Sequence, residues 1–222
     1  MPSYTTMNYE DARRQMLSQQ IRTWDVLDER VLETLRETHR EIFVPESERD
    51  LAFADTEIPL PHGQCMMTPK IEARLLQELA IEPTDSVLEI GTGSGYLTAC
   101  LSRLGGKVIS LEIFPDLSAA AEPRLRQFGI QNVELRVEDA MSASFGQKFD
   151  VIALTASVPR LGSRFIEILK PGGRLFVVVG RAPVMEAVLV HRHADGSSSQ
   201  KSLFETVLTP LINADQSEPF VL

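Results

Sequence analysis

The chain has 222 residues, 43% of them hydrophobic, with 31 acidic against 22 basic side chains and a net charge of −9. That length and apolar content supply one well-buried core. An acidic chain with no basic run is a poor non-specific binder of nucleic acid or of an anionic membrane, and no uninterrupted apolar run is long enough to span a bilayer.

The stretch MPSYTTMNYEDARRQM is polar and lacks the apolar centre of a signal peptide. A helix is expected over YEDARRQMLSQQI, where Ala12, Met16, Leu17 and Ile21 fall close to one face. Trp24 is expected to pack against the N-terminal helices. A second helix is expected over DERVLETLRETH, with Asp28 as its N-cap. Residues 42–69 then turn irregular, because Pro45, Pro59, Pro61 and Pro69 discourage a continuous helix. A stretch this long inside a compact domain is either disordered or functional. Phe43, Val44, Leu51, Phe53, Ile58 and Leu60 make it too apolar for a tether, so it is expected to pack over something.

A helix follows over KIEARLLQELAI, and then strands alternate with helices. The strand candidates are SVLEIG, KVISLEI, VELRV, FDVIALTA and GRLFVVVG, with helical patterns at 94–104, 116–128 and 160–169 between them. Val-, Ile- and Leu-rich strands separated by helices imply a parallel sheet covered on both faces. After Gly180 the pattern becomes two strands around the turn DGSSSQ, an antiparallel edge. The expected fold class is therefore α/β. It is a Rossmann-like, doubly wound, mostly parallel seven-stranded sheet with N-terminal helices and an antiparallel edge. A single domain over 1–222 divides into helices and a loop at 1–69, a core at 70–180 and antiparallel strands at 181–222.

Cys65 and Cys100 form neither a metal motif nor a disulfide framework, which fits a reduced cytoplasmic compartment. Cys100 reads as a buried apolar residue and Cys65 as packing, with no base to activate it. His191 and His193 alternate on the expected edge strand; without a further ligand they read as a solvated edge, and no metal is expected.

Ligands of doubly wound sheets bind beyond the carboxyl ends of the strands, at the switch in strand order. The first strand-helix turn reads Gly91-Thr92-Gly93-Ser94-Gly95-Tyr96. Its third glycine comes one residue too early for the dinucleotide fingerprint, which argues against a pyrophosphate. Glu89 precedes the glycines. Glu112 ends the next strand, where a carboxylate can accept both ribose hydroxyls, and Asp139 follows the third strand, where an adenine amino group could donate to it. Carboxylates beside glycines suit a nucleoside cofactor without phosphates.

Over residues 70–180 these features resemble the class I S-adenosylmethionine-dependent methyltransferases. The stretches MLSQQIRTWDVLDERVLETLRETHREIFVPESERDLAFADTEIPLPHGQ, FDVIALTASVP and LKPGGRLFVVVG resemble the protein-L-isoaspartate O-methyltransferases, and the likeness spans nearly the whole chain. The resemblance implies S-adenosyl-L-methionine as cofactor, held by Glu89, Gly91, Thr92, Gly93, Ser94, Gly95, Glu112, Asp139 and Ala140. It implies isoaspartyl-containing proteins or peptides as substrate, with His62, Gly63, Gln64, Cys65, Met66 and Pro69 in a substrate loop. The family loop usually reads G-Q-T-I-S-x-P, so its serine falls on Met67 and its threonine on Cys65. A C-terminal family threonine falls on Ile212. Thr68, one residue along, is the candidate replacement hydroxyl. Two other readings fit the same residues. One is a methyltransferase of this fold acting on a small-molecule carboxylate or hydroxyl. The other is a non-catalytic cofactor-binding protein. His62 and the two methionines also have plain readings as a loop hydrogen bond and as core filling.

Overall fold

The computed structural model describes residues 8–214; residues 1–7, part of the polar N-terminal stretch, and 215–222 lie outside the described residues. Helix α1, Tyr9–Gln15, starts at Asn8, whose side chain accepts from the amides of Glu10 and Asp11. The expected single helix to Ile21 changes pitch here, because Met16–Ile21 forms a π-helical segment. At 3.6 residues per turn, Met16 and Ile21 would point roughly 140° apart. The wider i→i+5 pattern brings them onto one face, and both are buried.

Helix α2, Glu29–Glu37, is capped by Asp28, whose carboxylate accepts from the Arg30 amide. Helix α3, Arg40–Phe43, leads into the proline-rich stretch. That stretch holds 3-10 turns at Glu46–Leu51 and Pro61–Gly63, and a short antiparallel pair, β1 (Ile58–Pro59) with β2 (Cys65–Met66). Phe43, Val44, Phe53 and Ile58 are buried as expected, whereas Leu51 is exposed.

Helix α4, Pro69–Leu79, precedes strand β3, Ser86–Ile90; helix α5, Tyr96–Leu104; and strand β4, Lys107–Glu112. Helix α6, Pro115–Gln127, follows, then strands β5, Val133–Val137, and β6, Phe149–Val158. Helix α7 covers only Ser163–Glu167, shorter than the expected 160–169, since Gly162 is still extended and Leu169 already pairs with Phe149. Strand β7, Leu169–Arg181, then turns back through β8, Val184–Arg192, and β9, Ser198–Glu205.

The seven strands lie in the order β5-β4-β3-β6-β7-β8-β9. The first five pair in parallel and the last two join antiparallel, as the sequence predicts. Alternate residues of each buried strand face opposite sides. Val87, Val108, Val151 and Phe176 pack under the N-terminal helices, and Leu88, Ile109, Ile152 and Leu175 pack on the other face. Trp24 packs against the core cluster that holds the N-terminal helices, and it reaches further than expected. It meets Phe204 of β9 edge-on at 5.6 Å with Lys70 Nζ 4.6 Å from its ring, so it ties the N-terminus to the sheet edge.

One buried ion pair crosses these layers. Arg40 and Glu72 are 1% and 3% exposed and hydrogen bonded to each other. Arg40 also donates to the carbonyls of Ala52 at 2.9 Å and Met67 at 2.8 Å, and lies 4.8 Å from the centre of the Tyr96 ring. Burial alone would lower the Arg40 pKa, but the Glu72 charge and hydrogen bond hold it above its ordinary value. Burial pushes Glu72 upward against the pull of Arg40. The guanidinium does not surrender its proton, so the pair is ionic.

Removing one partner of such a pair costs about 3–5 kcal/mol, because the other charge is left buried. In urea unfolding, Arg40→Met is expected to lose about that much. The double variant Arg40→Met/Glu72→Leu should recover only part of it, since the Ala52 and Met67 carbonyls stay unpaired; full recovery would show that those two bonds contribute nothing.

Candidate active site

A cavity opens where the carboxyl ends of β3, β4, β5 and β6 meet. The strand order reverses between β3 and β6, and the glycine turn follows β3 at that point. The backbone explains the glycines. Gly91, Gly93 and Gly95 have φ of 97°, 52° and 86°, a region that side-chain-bearing residues rarely adopt. Gly91 has a second reason, because a Cβ there would lie 2.3 Å from Thr155 Oγ1. At Gly95 a Cβ would stand 3.0 Å from Ala121 Cβ, so this glycine serves the packing of α5 on α6.

Gly91, Thr92, Gly93 and Ser94 line the cavity, as do Glu112, Asp139 and Ala140. Glu112 is 5% exposed and accepts from the amides of Gly93 at 2.9 Å and Phe114 at 3.1 Å. A carboxylate offers about four lone-pair sites, so two remain for hydroxyl donors. Asp139 accepts from the Met141 amide at 2.8 Å and from the Asn213 side chain at 2.9 Å. Its neighbour Glu138 also reaches the wall.

Glu89 is not among the lining residues. It is 0% exposed, and one of its oxygens accepts from Thr98 and, at 2.5 Å, from Ser110, which in turn meets Thr92 at 2.6 Å. Burial pushes Glu89 up to about 8, against the pull of those hydroxyls, and the Glu112 charge adds to the rise. At neutral pH it is mainly a neutral acid supporting the turn from beneath.

The opposite wall comes from the proline-rich loop and the C-terminal segment. Gln64, Cys65, Met66 and Met67 line it, together with Leu208, Thr209 and Ile212. His62 and Gly63 stand outside. His62 stacks on Phe114 at 4.2 Å and meets Asp116 at 2.9 Å, where the contact holds the Asp116 pKa below its ordinary value. Thr68 and Pro69 also fall outside the lining: they begin α4, and the Thr68 hydroxyl is buried without a hydrogen-bond partner. Cys100 is buried, its pKa pushed up to about 12 by desolvation. Among the described residues no group of three or more metal-ligating side chains converges.

Sequence reading missed Glu72, Thr155 and Thr209 as wall residues. Glu72 is one polar residue on an amphipathic helix, and Thr155 lies within an ordinary strand. The register of β6 against β7 shifts between Ala153 and Ser157, which leaves Thr155 to donate to the carbonyls of Ile90 at 2.8 Å and Gly91 at 3.0 Å. Nothing in residue order announces that slip.

The doubly wound sheet, the glycine turn at its switch point and the strand-end carboxylates define a class I S-adenosylmethionine-dependent methyltransferase. The positive-φ glycines and the two free acceptor sites on Glu112 fit a nucleoside bearing an amino-acid tail. The chain belongs to the protein-L-isoaspartate(D-aspartate) O-methyltransferase family (PCMT), whose sequence profile matches residues 11–216. It is 35% identical over 191 residues to protein-L-isoaspartate O-methyltransferase 1 of Syntrophobacter fumaroxidans, covering 86% of this chain and 89% of the relative. With the Methanoculleus marisnigri protein-L-isoaspartate O-methyltransferase it shares 38% over 169 residues, 76% of this chain and 77% of the other. A Plasmodium falciparum protein-L-isoaspartate O-methyltransferase, solved with S-adenosyl-L-homocysteine, shares the fold with a TM-score of 0.79 at 19% identity, over 93% of this chain and 99% of its own. Among the described residues no helix is long and apolar enough to cross a membrane.

The raised Glu89 pKa links stability to pH. The folded state holds a proton that the unfolded chain releases near 4.5, so this contribution is full below about 4.5 and is lost as pH rises through about 8. Glu89→Gln lacks that loss. Its melting temperature relative to the wild type is expected to climb between pH 5 and pH 8.5; a constant difference across that range would overturn the buried-acid assignment.

Proposed function

We infer that the chain methylates the carboxylate of isoaspartyl residues in damaged proteins or peptides. The observation that carries this reading is the single cavity joining the glycine turn and Glu112 to the loop at 64–67 of a chain belonging to the isoaspartate family. When bound, S-adenosylmethionine supplies a methyl group on a sulfonium, which the acceptor carboxylate takes directly. The neutral ester, unlike the carboxylate anion, is open to attack by the neighbouring backbone nitrogen and releases methanol, so the succinimide can re-form and hydrolyse in part to normal aspartate.

This chemistry asks little of an enzyme base, because a carboxylate is ionised at neutral pH. The chain's task is to align the partners and exclude water. In this reading Glu112 takes the ribose hydroxyls, Asp139 and Ala140 flank the base, and the Gly91–Gly93 backbone passes close to the methionine part. Met66, Met67 and Leu208 supply dry walls. A cytoplasmic setting belongs to the same reading, with both cysteines as free thiols.

The apolar faces of Met67 and Ile212 at the positions of family hydroxyls favour a second reading, a different carboxylate or hydroxyl acceptor. Radiolabelled methyl transfer separates the two. The isoaspartyl peptide is expected to take base-labile label and the normal aspartyl peptide none. No label with the wild type, but label with Met67→Ser, would move the search to other acceptors.

Glu112→Ala tests the cofactor assignment by calorimetry. Losing hydrogen bonds to a charged group costs about 1.5–3 kcal/mol each, so affinity for S-adenosylmethionine should fall at least about tenfold. Unchanged affinity would sink the ribose role.

A further inference from the structure

We propose that the Thr209 hydroxyl is the donor that holds the acceptor carboxylate, on a segment locked to the end of β6 by Ser157. The proposal rests on the carboxylate-acceptor reading above and names the group that replaces the hydroxyl lost at Met67.

The Thr155 and Thr92 hydroxyls of the cavity are already engaged, Thr155 with the carbonyls of Ile90 and Gly91 and Thr92 with Ser110. Ser94 stands in the glycine turn, on the wall opposite Met67, where it accepts from the Tyr96 amide at 3.3 Å. Gln64 donates back to the His62 carbonyl at 3.2 Å. Thr68 does not line the cavity. Thr209 does, and its hydroxyl has as partner only the Cys65 sulfur at 3.5 Å. A thiol is a weak donor and a weak acceptor, so this contact leaves the Thr209 proton free for a stronger acceptor.

The position of Thr209 is set by its backbone. Ser157 is 1% exposed, and its amide donates to the Thr209 carbonyl at 2.9 Å. The Ser157 carbonyl accepts from the Leu211 amide at 2.8 Å, and its hydroxyl donates to the Leu208 carbonyl at 2.9 Å. Three bonds from one buried residue thus attach 208–211 as a short parallel extension beside the carboxyl end of β6, next to Thr155 and Ala156 of the cavity wall. A hydroxyl carried on such a segment is held in place before substrate arrives.

Cys65 completes the arrangement. Burial pushes its thiol pKa up, so it stays protonated and presents no thiolate to repel an incoming carboxylate. Either atom of the Cys65–Thr209 contact can donate, and the thiol also has the Glu57 carboxylate as an acceptor, so an arriving carboxylate can draw the Thr209 O–H away from the sulfur. One acceptor oxygen would take that hydrogen bond, leaving the other to meet the methyl carbon. Met66, Met67 and Leu208 keep the contact dry, where a bond to a charged group counts for more.

Thr209→Val keeps the shape and removes the hydroxyl; Thr209→Ser keeps the hydroxyl. Methylation of an isoaspartyl peptide is measured for both beside the wild type, with S-adenosylmethionine affinity by calorimetry. Thr209→Val is expected to lower kcat/KM for the peptide about 10- to 100-fold, with cofactor affinity unchanged and Thr209→Ser near wild type. Wild-type kcat/KM in Thr209→Val overturns the assignment and leaves the function intact. Loss of cofactor binding in Thr209→Val, or loss of activity in Thr209→Ser, overturns it in favour of a packing role. A wild type that labels no isoaspartyl peptide overturns the acceptor reading and this proposal with it.

Discussion

Arg40 donates to the carbonyls of Ala52 and Met67 and to the Glu72 carboxylate, with its guanidinium beside the Tyr96 ring. The rest of the site depends on those contacts. Ala52 and Met67 belong to the proline-rich loop, Glu72 to the helix behind it, and Tyr96 is the first residue of the helix that leaves the glycine turn. One buried cation therefore sets the loop that roofs the cavity against the turn that floors it. Hydrophobic packing alone would let a loop of this length settle in several positions. Backbone carbonyls aimed at a fixed fork of donors allow far fewer, because a misplaced loop would leave a buried charge and two carbonyls without partners.

The floor is organised by the same logic with the signs reversed. Glu112 spans the ends of two segments by accepting from Gly93 and Phe114. Thr155 closes the other side by donating to Ile90 and Gly91, and the Glu89–Ser110–Thr92 chain supports the turn from below. Glu112 and Thr155 satisfy backbone groups at the strand ends, while the Glu89–Ser110–Thr92 chain is bonded side chain to side chain. The site is thus largely pre-formed, with Glu112 held by two backbone amides.

The two walls differ in character, and the division matches the chemistry of methyl transfer. The glycine and carboxylate side is polar and suits a sulfonium-bearing nucleoside. The loop and C-terminal side is methionine- and leucine-rich, with few free donors. A carboxylate stripped of water is a better nucleophile toward a methyl carbon, provided that a donor fixes its orientation. A sparse wall with one positioned hydroxyl meets both demands.

Residue order alone determined the sheet, its antiparallel edge, the glycine turn and the strand-end position of Glu112 and Asp139. These follow from local periodicity, from the positive φ that only glycine adopts freely and from the rule that parallel sheets bind at their carboxyl ends. The family motifs were equally legible. Other features needed the tertiary structure. Glu89 and Glu112 look alike in sequence, yet one is sealed beneath the turn and the other faces the cavity, because strand alternation alone does not say what covers each face. The Arg40–Glu72 pair, the reach of Trp24 to β9 and the approach of Thr209 to Cys65 join residues far apart in the chain. Such contacts have no periodic signature; they exist only once packing has chosen which desolvated polar groups must share a partner.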